Sequence, residues 1–244
     1  TEHHCILHTL DYIIERNLAK VVMLNVNHKG QIDTNELTSL LRDHEEMTMV
    51  SLMHGNNEIA TLHDIDVIAD ICLANDALFH CDTAQTIGKY PFDLSQEKIA
   101  FLSGSAHKFF GPKGVGFIYV NSNNIIKPLI HGGDQERGMR SGTENIYGIV
   151  GMAKALELAY QELDERKQKI SNIKTYCKSA LLENFEDIQI NGDEENQLYN
   201  ILSVSFPHSP KSEMIMMNLD IAGISASGGS ACSSGVENES HVLQ

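Results

Sequence analysis

Short apolar runs of four to six residues alternate along the chain with amphipathic stretches long enough for helices, and this alternation constrains the fold more than any other feature. Residues 2–17 set Ile6, Leu7, Leu10, Ile13 and Ile14 on one helical face. The β-branched run 21–26 closes at the Lys29-Gly30 turn, and Asp33 with Glu36 three residues on reads as a capping box opening a helix to about Arg42. Residues 49–53 read as a strand that delivers 54–58 as a loop; 65–74 are helical by period; 77–81, 99–102 and 115–120 are strands. The order predicts an α/β fold, a mainly parallel sheet with helices on both faces.

Past residue 120 the pattern changes. Residues 128–142 are rich in Gly and charge and lack a period, which predicts a long ordered loop of the kind retained for function. Residues 145–185 are strongly helical, and 188–190, 201–206 and 224–226 are candidate strands of a second unit, with a helix over 212–222 between them. A division follows into a larger unit, 1–150, and a connecting helix with part of a smaller α+β unit, 151–244.

Eighteen Lys and Arg against 33 Asp and Glu leave a formal charge of −15, which argues against binding nucleic acid or an anionic membrane by bulk electrostatics. The five cysteines (Cys5, Cys72, Cys81, Cys177 and Cys232) form no C-x-x-C pair and no even-numbered framework, so a reducing, cytoplasmic compartment is expected. No apolar run approaches the roughly 18 residues of a membrane helix.

The chemistry concentrates at residues 103–116, S-G-S-A-H-K-F-F-G-P-K-G-V-G. Lys108 follows a strand-like run and precedes the Gly111-Pro112 turn, so its amine sits where a strand ends, the edge at which open α/β sheets bind ligands. A lysine alone is more often a solvated surface group; its neighbours change the balance. Ser105 and His107 flank it as phosphate-type donors, and H-C-D-T-A-Q at 80–85 brings a carboxylate, Asp82, and an amide, Gln85, to the end of another strand. A carboxylate held against a pyridinium nitrogen keeps pyridoxal 5'-phosphate an electron sink, and Lys108 is placed for the Schiff base. Taken alone, Asp82 also reads as a strand-end turn residue.

Six blocks in order carry a family resemblance: T-E-H at 1–3, M-H-G-N-N-E-I at 53–59, H-C-D-T-A-Q at 80–85, S-A-H-K-F-F-G-P-K-G at 105–114, H-G-G-D-Q-E-R-G-M-R-S-G-T-E-N at 131–145, and G-G-S-A-C-S-S-G at 228–235. With them the chain resembles the cysteine desulfurases of the iron-sulfur cluster assembly type, in the class V aminotransferase family of fold type I pyridoxal phosphate enzymes. Against that family it looks truncated at both ends. The first unit then corresponds to the large cofactor-binding domain, and the second carries the Cys loop.

The resemblance implies roles residue by residue. Lys108 would hold the cofactor and move the substrate α-proton. Asp82 would face the pyridine nitrogen and Gln85 the phenolic oxygen. Asn57 would bond the ring substituents while Asn56 shapes the turn. Ser105 and His107 would bind the phosphate, with Thr143 reaching the phosphate of a neighbouring subunit in a homodimer. His3 would stack on the ring; metal binding with His4 and His8 competes with that reading, but no Glu-x-x-His or Cys partner completes such a site. Two departures stand out: Ala60 where Gly is usual, implying a slightly altered backbone, and Asp134 in place of a customary Gly.

Cys232 lies among Ser230, Ala231, Ser233 and Ser234, small polar neighbours that let a loop carry a thiolate in and out of a site. The other four cysteines read as inert packing. The implied activity is removal of sulfur from L-cysteine, giving L-alanine and a persulfide on Cys232 for a sulfur-acceptor protein, an iron-sulfur scaffold or a tRNA thiolation protein. A selenocysteine lyase or another class V enzyme is the alternative, as is a catalytically incomplete fragment.

Overall fold

The computed structural model describes residues 1–42, 46–96, 98–210, 212–228 and 240–243. The chain divides into two compact units, one formed by Thr1–Asp33, Gly55–His63 and Lys167–Gln244, the other by Thr34–His54 and Asp64–Arg166.

The second of these holds the sheet. Strands β1 (Met49–Met53), β2 (Leu78–Asp82), β3 (Phe101–Ser105) and β4 (Gly116–Val120) lie in the order β1-β2-β3-β4. The first three are parallel and β4 is antiparallel to β3. The sheet is thus mainly parallel, as the alternation implied. Asp82 stands opposite Met53 on one side and Ser103 on the other, so β1 and β2 end level there while β3 runs two residues further, to Ser105.

Burial follows the pleat. Phe79, Cys81 and Leu102 are almost fully enclosed, and helix α3 (Ile65–Ala74) lays Ile68, Ala69 and Cys72 on β2. Asp64 caps α3, its Oδ1 accepting from Val67 N at 3.2 Å. Helix α2 (Thr34–Arg42) packs Leu37 and Leu41 in the same unit.

The strongly helical stretch 145–185 is two helices, α4 (Ile146–Gln161) and α5 (Leu163–Asn184), broken at Glu162. Arg166 donates to the Ala159 carbonyl, one of the last in α4, and so satisfies an end that the break leaves open. The 128–142 loop is tied by its own bonds: Ser141 Oγ donates to Gly133 O at 2.7 Å, and Gly142 N to Gln135 Oε1 at 3.1 Å.

In the other unit, α1 (His4–Glu15) is capped by His3, and the short strands β5 (Gln189–Ile190) and β6 (Val204–Ser205) pair antiparallel. Helix α6 (Ile215–Ile221) follows a 3₁₀ turn at Ser212–Met214. Asp193 ties this unit together: it accepts from Gln31 Nε2 at 3.0 Å and lies 3.6 Å from Lys29 Nζ, while its backbone N donates to Thr61 Oγ1 at 3.2 Å.

Three local readings are corrected. The run 21–26 forms no strand beyond a single bridge from Val26 to Ile32, and Val22 and Met23 are exposed; β-branched composition cannot substitute for a partner strand. Residues 224–226 likewise join no strand, and Ile224 N instead donates to Leu219 O at 2.8 Å. Among the cysteines read as packing, Cys72 and Cys81 are buried, and burial pushes the Cys72 thiol up to about 12, whereas Cys5 and Cys177 are exposed. Those two sit on outward faces of α1 and α5, which residue type alone does not reveal.

Candidate active site

Lys108 lies on a single 3₁₀ turn, Ala106–Phe109, that begins where β3 ends. The turn is anchored on both sides of the lysine. Ala106 and Phe109 are almost wholly buried, with Ile87, against Phe117, Met152 and Leu156. Phe110 then takes the left-handed conformation at φ 68°, and Gly111 N donates back to Ala106 O at 2.9 Å, closing the turn. A flexible side chain therefore springs from a backbone that cannot drift. Lys108 itself is half-buried.

Asp82 is 8 % exposed at the end of β2. Its Oδ1 accepts from Ala84 N at 2.9 Å, the turn role that the residue also suggested in isolation. Thr83 secures the same corner from behind, its Oγ1 donating to Ser103 O at 2.8 Å and its N to the same oxygen at 3.0 Å. His80, two residues earlier, is clasped across the sheet, with Nδ1 2.8 Å from Ser51 Oγ and Nε2 3.2 Å from Ser103 Oγ. Burial lowers its pKa, against the opposing charge of Asp82, so the ring stays neutral between two hydroxyls.

Gln85 is half-buried in the turn after Asp82. Lys89 Nζ donates to its backbone oxygen at 2.9 Å and lies 3.5 Å from its Oε1. Lys89 is a residue that sequence reasoning missed; the only signal was its i, i+4 spacing from Gln85 in the G-K turn. Ser105 Oγ and His107 Nδ1 are 2.9 Å apart at an exposed position beside Lys108. Thr143 is exposed on the loop before α4. Asp82, Gln85, Ser105, His107, Lys108 and Thr143 thus all belong to one unit.

His3 and Asn57 belong to the other. His3 accepts from Cys5 N through Nδ1 at 3.2 Å, which leaves the proton of a neutral ring on Nε2. His4 is packed at 4.5 Å from the His241 ring rather than fully solvated, and His8 is exposed. Asn56 shapes its turn as expected, accepting from Glu58 N and Ile59 N at 2.8 and 2.9 Å, and Asn57 is half-buried on that turn. Cys232 lies outside the described residues.

The donor set fits pyridoxal phosphate. An amine on a rigid turn, an enclosed carboxylate at the adjacent strand end, an amide three residues on and a hydroxyl-imidazole pair beside the amine are the groups that cofactor requires.

A family profile described as aminotransferase class-V matches residues 1–243. The chain is 39% identical over 242 residues to the cysteine desulfurase IscS of Dictyoglomus turgidum, covering 99% of this chain and 60% of the relative. Among solved structures it resembles a NifS-like protein at TM-score 0.84 and 39% identity, over 91% of this chain and 60% of that one. It also resembles one described as SspA in complex with cysteine, at TM-score 0.81 and 28% identity, over 99% and 66%. The chain spans about three fifths of the length of the curated relatives it matches.

Proposed function

The chain belongs to the aminotransferase class-V family, and from that premise we propose that the protein is a pyridoxal phosphate-dependent cysteine desulfurase. The observation that carries the reading is Lys108 on its buried-flanked turn at the end of β3, with Asp82 at the end of the adjoining β2. The kinship with proteins named cysteine desulfurase selects this chemistry from the others the family profile allows.

Lys108 would hold the cofactor, with Asp82 toward the ring nitrogen, Gln85 toward the phenolic oxygen, Asn57 on the ring substituents and His3 across the ring face. Ser105 and His107 would bind the phosphate, joined by Thr143 from a second subunit of a homodimer. Bound there, the cofactor would supply an electron sink for the α-carbon of L-cysteine. Lys108, once displaced by substrate, accepts the α-proton. The Cys232 thiolate would attack the substrate sulfur: the S–S bond forms as the Cβ–S bond breaks, that bond's electron pair stays with carbon, Cβ gains a proton to become the methyl, and Cα takes back a proton from Lys108 to give L-alanine. The persulfide on Cys232 passes to an acceptor protein, an iron-sulfur scaffold or a tRNA thiolation protein. Residues 1–150 as the cofactor domain, 151–244 as the Cys-loop part and a cytoplasmic setting belong to the same proposal. No helix among the described residues is long and apolar enough to cross a membrane.

The test uses the full-length protein. A visible cofactor band bleached by borohydride, lost in Lys108→Ala, and persulfide formation from L-cysteine lost in Cys232→Ser with the band retained, are expected. Absence of the band, or undiminished persulfide formation by Cys232→Ser, would sink the reading.

A further inference from the structure

Resting on the pyridoxal phosphate reading, we infer that Lys89 is a positioning residue for Gln85: its ammonium holds the amide oxygen, leaving the amide NH₂ as the end that donates into the cofactor site.

An ammonium has three donors and no acceptor, so it meets an amide only through oxygen. Lys89 Nζ is satisfied first by Gln85 O at 2.9 Å, and its second oxygen neighbour is Gln85 Oε1 at 3.5 Å. A glutamine whose oxygen faces a cation has its NH₂ turned away from that cation. The free NH₂ is the end required to donate to a phenolic oxygen; with the amide reversed, two lone-pair-bearing oxygens would confront each other.

The turn that carries both residues has little freedom. Thr86 N donates to Thr83 O at 2.8 Å, and Lys89 N and Tyr90 N both donate to Thr86 O at 2.9 Å. Thr86 Oγ1 in turn lies 3.0 Å from His54 Nδ1. Between Gln85 and Lys89 sits Gly88 at φ +74°, where a Cβ would stand 2.9 Å from the Cβ of Phe109, the residue next to Lys108. The turn is therefore pressed directly onto the segment that bears the candidate cofactor lysine.

The electrostatics of Lys89 make packing a poor explanation for it. Its amine is largely removed from water, and the charged groups that act on it are Lys108 and Arg166, both cationic. Burial first, then those two charges, push its pKa down to about 8. Among the described residues no carboxylate forms an ion pair with it. An apolar side chain would fill the position at lower cost. A cation retained there is explained by the oxygen it holds.

A double-mutant cycle on the full-length holoenzyme decides the matter. Lys89→Met and Gln85→Leu are each expected to weaken pyridoxal phosphate binding about fivefold, the worth of one net hydrogen bond, and to shift the visible band in the same direction. The double variant is expected to match Gln85→Leu alone. Thermal stability of Lys89→Met should equal or exceed that of the parent, which a merely structural lysine would not give. Lys89→Gln, milder in bulk, serves as a second variant should the first misfold. Additive effects, or an unchanged band in Lys89→Met, overturn the inference while the cofactor reading stands. A parent protein without any cofactor band removes both.

Discussion

Ala60 holds a backbone conformation suited to glycine, φ +67°, while its carbonyl accepts from Leu198 N at 2.7 Å. Both residues are buried, at 2% and 0% exposure, so the hydrogen bond and the left-handed turn fix each other. The alanine is thus accommodated at a glycine-like φ.

The magnitudes at this site oppose one another. Ala60→Gly relieves about 1–2 kcal/mol of left-handed strain, but loses about 0.8 kcal/mol of methyl burial and frees the unfolded chain by about 0.4–1 kcal/mol. The net is expected within about 1 kcal/mol of zero. Ala60→Val, by contrast, adds branching at a positive φ in a full space and is expected to destabilise by about 2–4 kcal/mol. Urea midpoints of the two variants check the pair.

His63 supplies a pH dependence. It is 3% exposed and neither ring nitrogen has a hydrogen-bond partner. Burial pushes its pKa down to about 4 from the usual 6.5. Between those values the unfolded chain binds the proton and the folded chain does not, so stability falls as pH drops from about 6.5 toward 4. The loss is expected to reach about 3 kcal/mol at most. His63→Leu should flatten that part of the stability profile, measured by denaturant unfolding at pH 7 and pH 5; an unchanged slope would show that the ring takes up its proton in the folded state.

Asp82 carries two roles that one substitution separates. In Asp82→Asn the side-chain oxygen can still accept from Ala84 N, so the corner after β2 is retained and the melting temperature should hold. The negative charge proposed to face the cofactor nitrogen is lost, and desulfurase turnover is expected to fall about a hundredfold or more. Equal turnover in the two proteins would confine Asp82 to the turn.

Much of the arrangement was legible before folding because its signals are local. Short apolar runs and period-3.6 patterning picked out β1, α3 and the strand that leads into the Lys108 turn, since both signals are written into adjacent residues. The ordered blocks placed Asp82, Gln85 and Lys108 at neighbouring strand ends for the same reason. The run 21–26 deceived because strand formation is settled by a partner elsewhere in the chain, and Cys5 and Cys177 deceived because exposure depends on which helix face is covered.

The amino-acid order by itself determined the alternation of strand and helix, the family and the residues at the strand ends, all of which depend on neighbours in the chain. Only the tertiary structure decided that β4 runs antiparallel, that His63 is enclosed without a partner, and that Lys89 is a desolvated cation turned onto Gln85. Burial and electrostatic repulsion act through space, and Lys89, Lys108 and Arg166 come within reach of one another only when segments far apart in sequence are packed together.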